Sequence, residues 1–325
     1  MAKMRQIFVA LLLVAASSPT FAADRLRIGV QTTGTFAWQL DVIRRHGLAK
    51  AANLDLVTTE MASPDAGKLA LNAGTVDIAV VDWLWVARER GLGTKLQFYP
   101  YSTAVGAIMT KNDSPIQRLA DLKGHTLSIA GGPLDKSWLI VQAAAMRHSV
   151  DLKRETTLQY GAPPLIYQKL LQGEADASLN FWNFCAQLES HGYRRLYDVR
   201  QAEIDLGLRE PLSLTGYVFP ESFAIAHKDT IDRFLSVVRQ ANDILLNSDS
   251  EWDALRPLMR AQDDATFLAL RDRTRQGLPR RFVDAEETDA HELFEELVNV
   301  AEPGLVGPAR ELDPGLYYHP SPGGE

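Results

Sequence analysis

The chain has 325 residues, 46% hydrophobic and 23% charged, with a formal net charge of −7 at pH 7. That composition describes a packed globular protein of two ordinary domains rather than a disordered chain. A mildly acidic sequence without a basic stripe excludes nucleic acid as a partner, and a single cysteine, Cys185, excludes an intramolecular disulfide.

Residues 1–22 stand apart. Lys3 and Arg5 precede an uninterrupted apolar run over 7–16, followed by Ser-Ser-Pro-Thr-Phe-Ala. This layout predicts a signal peptide for the Sec pathway, cleaved after Ala22, and hence a periplasmic protein. The run is too short to span a bilayer, and no cysteine near the cleavage point offers a lipid attachment site, so no stable membrane anchor is expected. Loss of the two positive charges of Lys3 and Arg5 takes the formal charge from −7 to −9.

The mature sequence alternates strands and helices. Residues 26–30 alternate and are β-rich, Thr32-Thr33-Gly34-Thr35 is a polar loop, and 38–46 has helical spacing. A strand over 54–61 leads to Ser63-Pro64-Asp65, a helix start with Ser63 as N-cap and proline at the first position. Then comes Gly74-Thr-Val-Asp-Ile-Ala-Val-Val-Asp-Trp-Leu-Trp85, a helix stop at glycine, an apolar strand and a tryptophan. Further strands are expected at 96–99 and 105–110. Residues 111–124 change character, and the crossing into a second lobe belongs there.

The second lobe repeats the plan. A strand over 126–130, a Gly131-Gly132-Pro133 turn, a helix over 136–148 and a strand at 158–160 lead to Gly173-Glu-Ala-Asp-Ala-Ser-Leu-Asn-Phe-Trp-Asn-Phe184. This is the first module written again, roughly a hundred residues on, with Asp176 for Asp77 and Trp182 for Trp83. After a strand over 195–199, residues 214–219 return the chain to the first lobe. Helices follow over 228–246, 252–259, 264–276 and 289–300, and a Pro- and Gly-rich surface tail from 302. The expected division is lobe 1 over 23–110 plus 215–301, lobe 2 over 111–214 and the tail over 302–325.

In order, the motifs around residues 26–30, Ser63, Leu71-Asn-Ala-Gly-Thr-Val-Asp-Ile78, Ser114-Pro-Ile116, Leu119-Ala-Asp-Leu-Lys-Gly124 and Leu170-Leu-Gln-Gly-Glu-Ala-Asp-Ala177 resemble the substrate-binding proteins of ABC importers. The group resembled is the one that takes up nitrate, sulfonates, taurine and thiamine precursors. The likeness runs from about residue 26 to 247. It implies an α/β, two-lobe periplasmic binding protein type II fold, with a hinge and a central ligand cleft. It also implies a monomer that captures a small-molecule solute and delivers it to the transmembrane permease subunits. One departure stands out: where many relatives carry Trp-Glu-Pro after the second module, this chain has Trp182-Asn183-Phe184.

Ligands in open α/β sheets collect at the carboxyl ends of the strands. The residues placed there are Thr32, Thr33 and Phe36 after the first strand, Asp82 and Trp83 after the first module, and Trp182 and Asn183 after the second. Tyr160 and, in the return strand, Tyr217 complete the ring. Two helix starts offer free N–H groups, at Ser63 and at Pro133, Leu134 and Ser137. Asp82 either receives an amino group of the ligand or caps the helix after it. Trp85 and Trp138 are further aromatic candidates, Lys136 reads as a solvated helix residue, and Asp77 and Asp176 as structural. No histidine pair has metal spacing, so neither metal, cofactor nor catalytic residue is expected. The rival readings are a pyrimidine-synthase-like enzyme on the same fold, which needs His46, His125 or His148 clustered in the cleft, and a ligand-sensing subunit. The arginines from Arg271 to Arg281 read as a solvated helix and its exit, with docking to a transporter as the alternative.

Overall fold

The computed structural model describes residues 22–32, 34–300 and 306–321. Almost all of the expected leader, residues 1–21, and Thr33 lie outside the described residues. Ten strands are formed there, in chain order β1 (Asp24–Gln31), β2 (Leu54–Met61), β3 (Ile78–Asp82), β4 (Leu96–Ser102), β5 (Ala107–Lys111), β6 (Thr126–Ala130), β7 (Thr157–Gly161), β8 (Ala177–Asn180), β9 (Tyr193–Asp198) and β10 (Thr215–Pro220). They make two five-stranded sheets, ordered β2-β1-β3-β10-β4 and β7-β6-β8-β5-β9. Each sheet has three parallel strands, and its last two neighbours run antiparallel contacts. β3 and β8 are the apolar runs of the two modules and are buried along nearly their whole length, as strands covered on both faces must be.

The two modules are geometric twins. Ile28 lies opposite Ile78 in one sheet and Leu127 opposite Ala177 in the other. The Asp77 carboxylate accepts the Arg27 backbone N–H at 2.8 Å, and the Asp176 carboxylate accepts that of Thr126 at 2.8 Å. Each aspartate thus ties the start of the module strand to its parallel neighbour 50 residues earlier, and the structural reading of both holds. Gly74 and Gly173, which end the preceding helices, have φ of +65° and +74°, a conformation that disfavours any residue with a Cβ.

Two segments carry the chain between the sheets, residues 103–106 and 206–214. The first lies earlier than the sequence implies. The strand expected at 105–110 in the first lobe is β5, and it sits in the second sheet between β8 and β9. Gly106 makes this possible: a Cβ there would stand 1.8 Å from the Asn180 carbonyl oxygen, so only glycine lets the chain enter the sheet at that point.

The C-terminal region also departs from expectation. The helices Asp264–Gly277 and Val283–Val300, assigned to the first lobe, pack against Trp182–Ser190 and Lys136–Arg147 of the second. Gly277 accepts the Thr103 N–H at 2.8 Å and Glu286 accepts the Ser213 N–H at 2.8 Å, so this region braces both crossings. Nor are residues 306–321 a surface tail. Tyr317 pairs with Phe98 beside β4, and Leu312, Leu316, Tyr317 and Tyr318 are buried. The Pro/Gly signal marks irregular backbone there, but its apolar residues decide its place.

Candidate functional site

A cavity of about 860 Å³ lies where the carboxyl ends of the strands of both sheets meet. From the first sheet it takes Gln31, Asp82 and Tyr101, and from the second the turn after β6, Gly161 and the residues after β8. Six helix starts open on it, those of Phe36–Arg45, Pro64–Asn72, Trp83–Gly91, Lys136–Arg147, Pro163–Leu171 and Trp182–Ser190, because the strands that run toward this edge hand the chain to helices there.

Three of these starts are capped by their own side chains. Ser63 Oγ accepts the Ala66 N–H at 3.2 Å, Asp82 accepts that of Trp85 at 2.8 Å, and Asp135 that of Ser137 at 2.9 Å. Phe36–Arg45, Pro163–Leu171 and Trp182–Ser190, which follows Phe181, have no side-chain cap. At Trp182–Ser190 the positive end of the helix dipole favours an acceptor.

The charged groups of the site come from both halves of the chain. Lys68 Nζ stands 3.3 Å from Asp82 and 5.8 Å from the Trp85 ring centre. Arg88 reaches across to the Leu134 carbonyl at 3.4 Å, and Lys136 Nζ lies over the Phe181 ring at 4.6 Å. Burial pushes the Asp82 carboxyl up, but Lys68, Arg88, Lys136 and the Trp85 N–H outweigh it and hold the group below its ordinary range. Asp135 goes the other way: burial and the nearby Asp82 charge raise it against the pull of Lys136 and Lys68. Burial also pushes the Tyr101 phenol up to about 12, although Thr35 Oγ1 sits 2.9 Å from it. Lys68, Arg88 and Lys136 thus share the cavity with four carboxylates, Asp65, Asp82, Glu89 and Asp135, of which Asp82 is firmly ionised and Asp135 poorly solvated.

Of the predicted residues, Phe36, Ser63, Asp82, Pro133, Leu134, Ser137, Tyr160, Trp182 and Asn183 line the cavity. Trp83 does not. It is fully buried against Phe294 at a centroid distance of 6.5 Å, and its Nε1 has no partner among the described residues. Two positions along a helix turn a side chain by about 200°, so Trp85 faces the cavity and Trp83 the core. Thr32 is exposed beside β2, its N–H donating to the Met61 carbonyl at 3.1 Å. Tyr217 stands two residues deeper in β10 than the cavity residue Thr215, and its hydroxyl donates to Gln39 Oε1 at 2.6 Å. Trp138 is buried, and Lys136 borders the cavity rather than bulk solvent.

Lys68, Arg88 and Asp135 were not expected here, yet spacing carries a signal for two of them. Trp85, Arg88, Glu89 and Leu92 recur at i, i+3, i+4 and i+7 and form the cavity-facing stripe of their helix. Lys68 lies one turn beyond Pro64. No group of three or more His, Cys, Asp or Glu among the described residues is placed to hold a metal. His46, His125 and His148 stand apart from the cavity, near Glu251, Asp176 and Asp205.

Two sheets with a charged, aromatic-lined cavity between their strand ends define a periplasmic binding protein fold. Solved structures agree. The periplasmic aliphatic sulphonate binding protein SsuA from Escherichia coli superposes with a TM-score of 0.70 at 18% identity, over 92% of this chain and 93% of its own. The alkanesulfonate-binding protein SsuA from Xanthomonas axonopodis pv. citri, bound to MOPS, gives 0.68 at 18% identity, over 90% and 98%. A Candida albicans protein described as having the generic periplasmic binding protein fold gives 0.64 at 14%, over 87% and 92%. The NMT1/THI5-like family model matches residues 42–251, more than half of the sequence, and the chain belongs to that family. A search of curated proteins gives no match. Among the described residues no helix is long and apolar enough to cross a membrane.

Proposed function

We propose that the chain is the solute-binding component of an ABC importer, that it works in the periplasm after loss of its leader, and that it hands a small organic solute to the permease. The observation that carries this reading is the cavity itself, walled from both halves and lined by Trp85, Trp182 and charges of both signs. An aromatic wall gives wide contact with a flat or apolar body and keeps water from the polar contacts. Asp82 and Asp135 are acceptors for an amino group or ring N–H. Lys68, Arg88, Lys136 and the uncapped start of Trp182–Ser190 suit an acidic end.

The solute is therefore a zwitterion, or a nitrogenous ring with an acidic substituent, rather than a simple anion. A bare sulfonate would set its charge against the carboxylates of the lining, Asp65, Asp82, Glu89 and Asp135. The family and the sulfonate-binding structural neighbours support the solute-binding role. The enzyme reading lacks its histidine cluster, since His46, His125 and His148 stand outside the cavity lining.

Titration calorimetry of the mature protein against amino-sulfonates, alkanesulfonates and aminopyrimidines tests this. The zwitterions or nitrogenous rings bind most tightly on the proposal. Tighter binding of plain alkanesulfonates overturns the ligand class, and no binding by any of the three overturns the receptor reading for this solute group.

A further inference from the structure

A second cavity, of about 170 Å³, shares no lining residue with the first. It lies between the Tyr99 and Tyr217 face of the first sheet, the helix Lys228–Asn247, and the loop 279–283 that follows the brace at Gly277. No carboxylate lines it, and its charged groups are all arginines: Arg239, Arg280 and Arg281. Arg281 is neutralised by Asp289 at 2.6 Å. Among the described residues the Arg239 guanidinium hydrogen-bonds only the Tyr99 hydroxyl, at 3.3 Å. That of Arg280 has no hydrogen bond or ion pair to any described residue, and neither it nor Arg239 is matched by an acid.

The chain has 41 Asp and Glu against 34 Lys and Arg. Acids to pair with are abundant, and elsewhere arginines such as Arg27, Arg195 and Arg273 have them. Here two guanidiniums with no acid beside them among the described residues stand at the rim of one concavity. Asn242 adds to this polarity, because its side-chain oxygen is already taken by Gln39 Nε2 at 2.6 Å, which leaves its amide N–H groups as donors. A set of donors without an acid is complementary to an acceptor that carries negative charge.

We propose that this cavity binds a small oxyanion, held by Arg239 and Arg280 with Tyr99 and Asn242 beside it. Guanidinium groups suit phosphate, sulfate and carboxylate through paired N–H donors, and the volume admits one tetrahedral oxyanion with a few waters. The site is independent of the solute bound in the main cavity, and its failure would leave that reading intact.

The test uses the full mature chain without added solute. Melting temperature and calorimetry are followed against inorganic phosphate and sulfate, with chloride at matched ionic strength as the control. A ligand that binds only the folded state raises the midpoint saturably. The expected result is such a rise with the oxyanions, an affinity at least roughly tenfold weaker in Arg239→Met and in Arg280→Gln, and an unchanged response in Trp182→Ala. Arg280 is exposed, so Arg280→Gln carries the test if Arg239→Met does not fold. An equal rise with chloride, a response kept in the arginine variants, or a response lost in Trp182→Ala overturns the proposal.

Discussion

The indoles of Trp38 and Trp182 meet edge to face at 6.3 Å, with their planes 89° apart. Trp38 belongs to the helix Phe36–Arg45 beside the first sheet and Trp182 to the helix that follows β8 in the second. The contact therefore joins the two halves of the chain at the rim of the cavity. Such a pair is worth about 0.5–1.5 kcal/mol beyond the area it buries. Trp182→Ala removes both this contact and the aromatic wall of the cavity. The expected result is a loss of solute affinity of about tenfold or more, with Trp182→Phe recovering most of it. Calorimetry with the best-binding solute decides, and an unchanged affinity in the alanine variant removes Trp182 from the site.

Trp83 and Trp85 separate a core role from a cavity role within one helix turn. Truncating a fully buried indole costs about 3–5 kcal/mol, and Trp83 is such an indole, packed on Phe294. Trp83→Phe should lower the urea midpoint while leaving solute affinity within about twofold. Trp85 is buried as well, so Trp85→Ala also lowers the urea midpoint, but it alone should bring a large loss of affinity. Equal effects of both substitutions on binding would mean that the two rings do not face opposite sides of their helix.

The same pair shows what the sequence makes legible. The duplicated module, its glycine stops and its tying aspartates are local features, and the strands formed where apolar runs lay between such stops. The two copies place Trp83 and Trp182 at equal positions, and equal positions suggest equal roles. Their neighbours differ, however: Phe294, over two hundred residues along the chain, covers Trp83, whereas Trp38 stands beside Trp182. That is a tertiary fact no local pattern carries. Lys68 and Arg88 were hidden for a related reason, since a lysine or arginine on a helix is ordinarily solvated, and what turns these inward is tertiary, Asp82 and the Trp85 ring for Lys68 and the Leu134 carbonyl for Arg88. β5 was assigned to the wrong sheet because its sequence is as β-rich as its neighbours. What directs it is the clearance at Gly106, which appears only when Asn180 is in place.

The C-terminal segment is held by charge as well as by apolar contact. Asp313 accepts Arg90 Nη2 at 3.0 Å, Lys95 Nζ at 2.9 Å and the Gly315 N–H at 2.9 Å. Burial alone would raise its carboxyl, but these donors hold it well below the usual range. Arg90 is only 6% exposed, and Asp313→Asn would leave it with Glu221 at 3.7 Å as its one acid. Removing one partner of a buried pair strands the other charge, so a loss of about 2–3 kcal/mol is expected. Lys95→Gln, at the half-exposed end of the network, should cost less than about 1 kcal/mol. Urea unfolding of both variants tests the ranking, and equal small losses would show that residues 306–321 contribute little to stability.

Glu203 sets a pH dependence opposite to that of most carboxylates. Burial pushes its carboxyl from 4.5 up to about 8, Arg200 at 3.0 Å offsets only part of this, and the charges of Asp198 and Glu286 add to it. Glu286, also raised by burial, is drawn back in part by the N–H and hydroxyl of Ser213 and by Arg281. The folded chain thus keeps a proton on Glu203 that the unfolded chain releases near its ordinary value of 4.5. A group of this kind contributes its full stability below the unfolded pKa and loses it as pH rises through the folded one. Asp82 and Asp313 have the reverse sign, since their lowered carboxyls lose stability only as pH falls below about 4. Between about pH 5 and 8 the Glu203 contribution should therefore make stability decline by a few kcal/mol. Glu203→Gln, which keeps the shape without the ionisation, should flatten that decline and exceed the wild-type protein in stability at the upper end. Urea unfolding across this range is the measurement. A wild-type stability that climbs with pH, in parallel with the glutamine variant, would show that Glu203 ionises normally despite its burial.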